Sequence, residues 1–153
     1  MSPLPLQELS DRLEIQDLLT RYTVAIDRKD WSLLDRCFTP DAELDYTSTP
    51  GGQKGAYPEV RKWLEAALSP FPMTMHFISN SVVEIDGDRA KARTYVINPM
   101  GFPKKDGSLH IFTVGGYYND ELVRTAEGWR IAKRVEEFAY MEGSLPEELG
   151  IGS

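Results

Sequence analysis

The 153-residue chain carries 24 acidic and 17 basic side chains, which gives a formal net charge of −7. So acidic a protein argues against nucleic acid as the main partner, because binding to phosphates needs a basic surface. The single cysteine, Cys37, excludes an intrachain disulfide and any metal site built from several cysteines. The length fits one domain over residues 1–153. Without a signal peptide or a membrane-spanning apolar run, we expect a cytoplasmic protein.

The first predicted helix runs from about Leu6 to Asp27. Apolar side chains recur on one of its faces, at Ile15, Leu18, Leu19, Tyr22 and Ile26. Tyr22 places a phenol on this apolar stripe, and Asp27 places a carboxylate at the C-terminal end of the helix. An acid there is unfavourable unless something compensates it, because a helix C-terminus carries partial negative charge. Tyr22 and Asp27 are therefore the first candidates for chemistry.

Two further helices are predicted before the sheet begins. Asp30 fits the N-cap of a short second helix, which Pro40 ends. Residues 42–47 fit an edge strand, and residues 49–55 have the composition of a loop. A third helix follows, with Pro58 in its first turn. Its apolar stripe consists of Val60, Trp63, Leu64, Ala67 and Leu68.

From Met73 onward the spacing of apolar residues becomes that of extended chain. Strands are predicted over residues 73–85, from Arg89 to about residue 98, over 109–125 and over 129–140. Residues 86–88 form a hairpin turn, and the pair Gly115–Gly116 predicts a bulge or sharp bend. Helices followed by hairpin-linked strands predict an α+β fold. We expect three N-terminal helices to pack on a curved antiparallel sheet, forming a cone that encloses a pocket.

One histidine is predicted to lie inside this cone. Alternation gives the strand after Arg89 an inward face of Thr94, Val96, Asn98 and Met100, which suits a cavity. His76 lies in an apolar run and is predicted to be at least half buried; a core histidine bonded to backbone is the simplest interpretation. An Asp27–His76 pair would satisfy both groups and make a general base. The alternative is Asp27 in solvent or paired with Arg28 or Lys29.

The remaining polar candidates have simpler interpretations. Tyr117 and Tyr118 must point to opposite faces of their strand, so one of them is available to the cavity. His110 is predicted at the surface or rim, and Cys37 as a small buried hydrophobe. The sequence contains no phosphate-binding glycine loop, no GxSxG elbow and no HExxH motif.

Three blocks of sequence resemble the SnoaL-like branch of the nuclear-transport-factor-2-like superfamily, whose fold is a cone-shaped α+β. The blocks are residues 15–27 with Trp31 and 38–42, residues 76–80 with 86–90, and residues 115–120 with 128–131. The resemblance covers a core of about residues 9–140. The subgroup that this chain looks closest to includes scytalone dehydratase, bile acid 7α-dehydratase and hexachlorocyclohexane dehydrochlorinase.

The resemblance implies a cofactor-independent lyase of the dehydratase type, or an isomerase, acting on a cyclic hydrophobic small molecule. His76, oriented by Asp27, would remove a proton next to an activating group, and no metal would be needed. Tyr22, with Asn98 or Tyr46, would stabilise developing charge on oxygen. Asn98 stands where those dehydratases carry a further acid or histidine. Other substrate contacts are expected from Phe38, Trp63, Met75, Met100, Tyr118 and Phe138.

The same fold also serves functions without this chemistry. One alternative is a non-catalytic module that uses the cone to bind a small ligand or to dimerise. Another is the small subunit of a ring-hydroxylating dioxygenase. A cone filled by side chains, or Asp27 pointing to solvent, would favour the module. In each case we expect a homo-oligomer, dimer or trimer, formed through the sheet face, and no membrane partner.

Overall fold

The computed structural model describes residues 3–150 of the chain. Within that range the helices are α1 (Leu6–Arg28), α2 (Trp31–Asp35) and α3 (Tyr57–Leu68), with a short 3-10 helix at Glu147–Leu149. The strands are β1 (Phe38–Asp45), β2 (Lys54–Ala56), β3 (Met73–Thr74), β4 (Phe77–Asp86), β5 (Arg89–Pro103), β6 (Leu109–Thr125) and β7 (Gly128–Glu142). This is the predicted order of helices followed by strands, and the cone-shaped α+β fold is confirmed.

The strands form one curled sheet in the order β2-β1-β7-β6-β5-β3, with β4 paired to β5 beside β3. The long hairpins β4–β5, β5–β6 and β6–β7 are antiparallel, as predicted. The pairing of β1 with β7 is parallel, so the sheet is mixed and not purely antiparallel. A parallel pair needs a long crossover connection, and here the segment of chain from β2 to β6 forms that connection.

Local signals set the ends of the helices. α1 ends where Lys29 adopts the left-handed conformation, with φ of 54°. The side chain of Asp30 accepts a hydrogen bond from the backbone N–H of Leu33 at 2.9 Å, which confirms the predicted N-cap of α2. Pro58 lies in the first turn of α3, where its missing N–H costs no helical hydrogen bond.

The strand predicted over residues 73–85 is interrupted at Met75 and His76. The backbone N–H of His76 donates to the carboxylate of Asp27 at 2.9 Å and not to a neighbouring strand. The side chain of Asp27, on α1, thus takes the place of a strand partner and ends the ladder of backbone hydrogen bonds there. The predicted loop at residues 49–55 is also shorter than expected, because Lys54 begins β2 and pairs with Asp45.

Two irregularities in β6 and β7 bend the sheet. The register shifts between Gly115, opposite Tyr140, and Gly116, opposite Phe138, which confirms the predicted bulge. A Cβ added at Gly115 would lie 2.0 Å from the Tyr140 ring, so the close approach requires glycine. Further along, Leu122 pairs with Ile131 and Glu121 with Lys133, which leaves Ala132 as an extra residue in β7. This second bulge was not predicted.

The apolar stripe of α1 packs into the concave side of the sheet. Its buried residues include Ile15, Leu18, Tyr22, Ala25 and Ile26, and they join one core cluster with α2, α3 and the inner faces of β5, β6 and β7. Burial of this apolar surface is the main stabilising term of the fold. No helix of the described residues combines the length and hydropathy required to cross a membrane.

Candidate active site

A cavity of about 470 Å³ lies between the helices and the concave face of the sheet. Its size is within the range of small-molecule sites, and its wall is mainly apolar. The apolar wall includes Ile26, Trp63, Leu64, Leu68, Phe71, Val96, Met100, Phe112, Val114 and Phe138. The polar groups that reach it are Tyr22, Tyr46, Thr49, His76, Asn98, Tyr118 and Glu136.

Asp27 and His76 are in direct contact at the wall of this cavity. His76 Nδ1 lies 2.6 Å from Asp27 Oδ1, and the His76 backbone N–H donates to Oδ2 at 2.9 Å. The hydroxyl of Thr74 donates to the same carboxylate at 3.0 Å. Since the carboxylate accepts from Nδ1–H, the lone pair of the neutral ring is on Nε2. The predicted pairing of Asp27 with His76 is therefore present in the structure.

The carboxylate of Asp27 is held in its ionised form. Partial burial alone would raise its pKa, but hydrogen bonds from the His76 ring, the His76 backbone and Thr74 outweigh burial and lower the pKa below its ordinary value. The His76 side chain is only 6% exposed and that of Asp27 24%. His76 lines the cavity whereas Asp27 does not, and Nε2 of His76 has no hydrogen-bond partner within residues 3–150.

Next to the dyad, aromatic rings surround a buried arginine. Tyr22 lies edge-on to His76 and to Tyr118, with ring centroids 6.4 and 5.6 Å apart. The Tyr22 and Tyr46 hydroxyls are 3.2 Å apart. The guanidinium of Arg134 lies 4.1 Å from the Tyr22 centroid and 4.0 Å from that of Tyr118. Burial raises the pKa of all three tyrosines, so their hydroxyls stay protonated and act as hydrogen-bond donors.

Arg134 is fully buried and is neutralised by Asp120. Two hydrogen bonds of 2.7 Å join the guanidinium to both oxygens of that carboxylate. Burial would lower the pKa of Arg134, but the adjacent Asp120 carboxylate raises it, so the side chain remains a cation. Its Nη1 has no hydrogen-bond partner in the described part of the chain.

Two further polar side chains of the cavity are incompletely bonded. Oδ1 of Asn98 is buried and has no partner among the described residues. Glu136 accepts a hydrogen bond from the Thr49 hydroxyl at 2.7 Å, through Oε2 only. Burial raises the pKa of Glu136 above its ordinary value of 4.5, against the opposing effects of Thr49 and Arg134.

Most of the predicted site residues meet at the cavity, and two do not. His76, Tyr22, Tyr46, Asn98, Trp63, Met100, Tyr118 and Phe138 all line it, and Asp27 lies behind His76. Met75 does not line the cavity: it is 51% exposed, because Thr74 and His76 face inward and it alternates outward. Phe38 is also outside the lining, since it is buried against the rings of Tyr22 and Tyr57.

Sequence reasoning missed Arg134 and Glu136. Counting by twos from the buried Trp129 and Ile131 assigns residues 133, 135 and 137 to the inner face. The extra residue at Ala132 reverses that alternation, so Arg134, Glu136 and Phe138 face inward instead. One feature of the sequence could have indicated a bulge in β7. Phe138 and Trp129 lie an odd number of residues apart, so they cannot both face inward on a regular strand.

The other reactive residues lie away from the cavity. His110 is half-buried, and its Nε2 is 2.6 Å from the Ser144 carbonyl oxygen. Cys37 is fully buried, and burial raises the pKa of its thiol to about 11, so it is the small buried hydrophobe that was expected. Over residues 3–150, no cluster of three or more His, Cys, Asp or Glu side chains could hold a metal ion.

Comparison with known proteins gives a consistent family signal. The model of the SnoaL-like domain family matches residues 7–135. An uncharacterized protein of Mycobacterium tuberculosis is 45% identical over 135 residues, which are 88% of this chain and 90% of that protein.

Three solved structures share the fold. One from Novosphingobium aromaticivorans, provisionally described as an aromatic ring hydroxylase, is 30% identical over 94% of this chain and 97% of its own, with a TM-score of 0.77. Another from that organism, provisionally described as a scytalone dehydratase, is 20% identical over 91% of each chain, with a TM-score of 0.79. A hexachlorocyclohexane dehydrochlorinase is 22% identical over 92% of this chain and 93% of its own, with a TM-score of 0.77. The last two show the fold alone.

Proposed function

This chain belongs to the SnoaL-like domain family, and from that premise we propose that it is a lyase or isomerase acting on a cyclic hydrophobic small molecule. His76 serves as the general base and Asp27 orients it. The names of the dehydratase and the dehydrochlorinase among the similar structures agree with this reaction class. Proton removal next to an activating group followed by elimination needs only acid–base groups.

The contact between Asp27 and His76 carries the proposal. The short Oδ1–Nδ1 hydrogen bond holds one ring nitrogen, so the other is available to a ligand in the cavity. A general base must be within hydrogen-bond reach of the proton that it removes, and a lining residue meets that condition. The apolar wall excludes water and strengthens electrostatic interactions with the reacting atoms.

The tyrosines and Asn98 would bind the oxygen atoms of the ligand. The raised pKa values of Tyr22 and Tyr46 keep both phenols protonated. One of the two hydroxyls donates to the other, and the second can donate to a ligand oxygen that gains negative charge. The Arg134 cation against the Tyr22 ring makes that environment more favourable for an anion. The unpartnered Oδ1 of Asn98 offers an acceptor to a ligand hydroxyl.

Hydrogen exchange on a simple ketone tests the base without knowledge of the natural substrate. β-Tetralone is a cyclic hydrophobic ketone with acidic protons next to the carbonyl. In D₂O the protein should accelerate exchange of those protons, measured by proton NMR, and His76→Ala should reduce the acceleration by about 10²- to 10⁴-fold.

The second histidine provides a matched control. His110 lies outside the cavity lining, so His110→Ala should exchange β-tetralone at the wild-type rate. Equal exchange by wild type and His76→Ala would contradict the proposal. Circular dichroism of both variants separates loss of the base from loss of the fold.

One specific observation favours a second candidate. This second candidate is a non-catalytic module that binds an aromatic molecule in the cavity without removing a proton. The solved structure at 30% identity is provisionally described as an aromatic ring hydroxylase, and that description supports an aromatic ligand for the cavity. Tight binding of β-tetralone, measured by calorimetry, together with no exchange in D₂O would favour this second candidate.

We also propose that the protein is a homo-oligomer, dimer or trimer, formed through the outer face of the sheet. Large apolar side chains are exposed there on neighbouring strands, at Phe77, Tyr95, Ile97, Ile111 and Tyr140, and each is 44–55% exposed. They face away from the cavity, since Tyr95 and Ile97 alternate with the buried Thr94 and Val96. Light scattering should give a multimer for wild type and a smaller species for Ile97→Lys.

A further inference from the structure

We propose that Glu136 is the catalytic acid of this site and delivers a proton to a hydroxyl leaving group. The inference rests on the proposed function, in which His76 removes a proton from the same ligand. It narrows the substrate to a cyclic compound with a hydroxyl on the carbon β to its activating group. Glu136 was not among the site residues predicted from the sequence, and the structure places it in the lining of the cavity.

Glu136 faces the cavity from the side opposite to His76. It lies on β7 directly opposite Tyr118 of β6, whereas His76 lies beside β3, on the far side of β5. Three strand spacings of ~4.8 Å therefore separate the two backbones along the sheet. Both side chains line the same cavity, so a ligand of one or two rings can lie between them.

The carboxyl group of Glu136 takes part in no ion pair within residues 3–150. The nearby Arg134 guanidinium forms its ion pair with Asp120, through Nε and Nη2. Only Oε2 is hydrogen-bonded, to Thr49, and Oε1 has no partner in the described range. An unpaired carboxylate is costly in such apolar surroundings, whereas the neutral acid is not. Burial raises the pKa of Glu136 above its ordinary value of 4.5, which agrees with a group that holds its proton more tightly than an exposed glutamate does.

Glu137, the next residue, shows the opposite arrangement. Its carboxylate is exposed and bonds to Arg93 at 2.6 Å through Oε2. The Arg93 and Asn119 side chains lower the pKa of Glu137. Adjacent glutamates on the two faces of one strand thus have pKa values shifted in opposite directions, and only the inner one can donate a proton to a ligand.

A proton donor is required for some leaving groups and not for others. In a dehydration, His76 Nε2 takes the proton from carbon, the electron pair forms the new double bond, and the C–O bond breaks. The departing oxygen receives the Glu136 proton and leaves as water. The ionised Glu136 regains a proton, and protonated His76 loses one, through solvent. A chloride or carboxylate leaves without a proton, so it would not need Glu136.

Two substrates that differ only in the leaving group test this role. The β-hydroxy derivative of β-tetralone must lose water, whereas the acetate ester of that derivative loses acetate; both give the same conjugated product, which is measured by its absorbance. Glu136→Gln keeps the shape of the side chain but has no acidic proton. It should slow the loss of water by about 10²- to 10⁴-fold and the loss of acetate by less than about tenfold. Glu137→Gln should behave as wild type with both compounds.

A second measurement depends on the carboxyl group and not on turnover. Just above pH 4.5, the ordinary pKa of a glutamate, the infrared spectrum of wild type should contain a protonated carboxyl C=O band that is absent from Glu136→Gln. Thr49→Val removes the hydrogen bond that lowers the pKa of Glu136, so the loss of water should continue to higher pH in that variant.

The outcomes separate this inference from the proposed function. A missing band, or an equal effect of Glu136→Gln on both compounds, overturns the role of Glu136. So does a wild type that exchanges β-tetralone and eliminates acetate but not water. A wild type that neither exchanges β-tetralone nor eliminates either group overturns the proposed function, and the role of Glu136 with it.

Discussion

Two aspartates of this protein hold a basic side chain inside the cone, in opposite ways. Asp120 binds Arg134 through both oxygens, and neither side chain is exposed at all. Asp27 binds His76 through one ring nitrogen, and 24% of its side chain is exposed. In the first pair, both carboxylate oxygens of Asp120 and the two guanidinium nitrogens that face them are hydrogen-bonded to each other. In the second pair, Nε2 of His76 is not bonded to Asp27 and is available to a ligand in the cavity.

The difference separates a structural ion pair from a reactive one. A guanidinium does not give up its proton near neutral pH, so Arg134 can only orient dipoles and rings around it. An imidazole exchanges its proton in that range, and a carboxylate on one nitrogen directs the exchange to the other. Substitutions in the first pair should therefore change stability, and substitutions in the second should change activity.

The largest effect on stability is expected from Arg134→Met. It leaves Asp120 as a buried carboxylate without a cation, which costs about 3–5 kcal/mol of unfolding free energy. The exposed Arg93 is a matched control, since it also pairs with a carboxylate, that of Glu137, and lies 4.0 Å from a tyrosine centroid. Arg93→Met should cost far less, because an exposed ion pair contributes little to stability. Denaturant titrations measure both, and similar losses would remove the contrast between buried and exposed pairs.

The largest effect on activity with little change in stability is expected from Asp27→Asn. The carboxamide can donate to Nδ1, which moves the ring proton to Nε2 and removes the lone pair that acts as base. Exchange of β-tetralone protons should fall by about 10²- to 10⁴-fold. The melting temperature should change much less than in Arg134→Met. A variant with normal exchange but a collapsed melting temperature would place Asp27 in the structural class.

How much of this contrast was predictable differs between the two pairs. Asp27 and His76 lie at the ends of elements with clear periodicity, and the resemblance pairs them by spacing. Asp120 and Arg134 depend on the register of β6 and β7, where the extra residue Ala132 reverses the alternation. Local periodicity carries no information about such a bulge, because only the partner strand defines it. The same bulge determines which face of β7 carries Glu136, which was not predicted either.

The exposure of Met75 follows from a related limit. Residues 73–85 were predicted as one strand, and Met75, next to His76, was predicted as a substrate contact. The side chain of Asp27 ends the ladder at His76, which a sequence pattern within the strands cannot reveal. The strand geometry on either side still alternates, so Thr74 and His76 face inward and Met75 does not.

A smaller effect is expected from acid on the Asp27 contribution to stability. The pKa of Asp27 is lowered in the folded protein, so the ionised form is favoured by folding. Its contribution is present above the ordinary pKa of 3.8 and is lost as the pH falls through the lower folded value. The difference in melting temperature between wild type and Asp27→Asn should therefore shrink in acid. A difference that grows in acid would contradict the direction of this shift.

Glu136 should show the reverse dependence, with the smallest effect of the series. Its pKa is raised by burial, so the folded protein holds this proton more tightly than the unfolded chain does. Stability from this group is then present below the ordinary value of 4.5 and is lost as the pH rises through the folded value.

Glu136→Gln removes a group that is costly to ionise. The variant should melt at a higher temperature than wild type above the folded pKa of Glu136, and this gain should disappear in acid. Glu137→Gln loses an exposed ion pair and should show no such gain. Thermal melts across the two pH ranges measure the effect, and a lower melting temperature for Glu136→Gln in alkali would mean that the carboxylate, not the acid, is what the cavity stabilises.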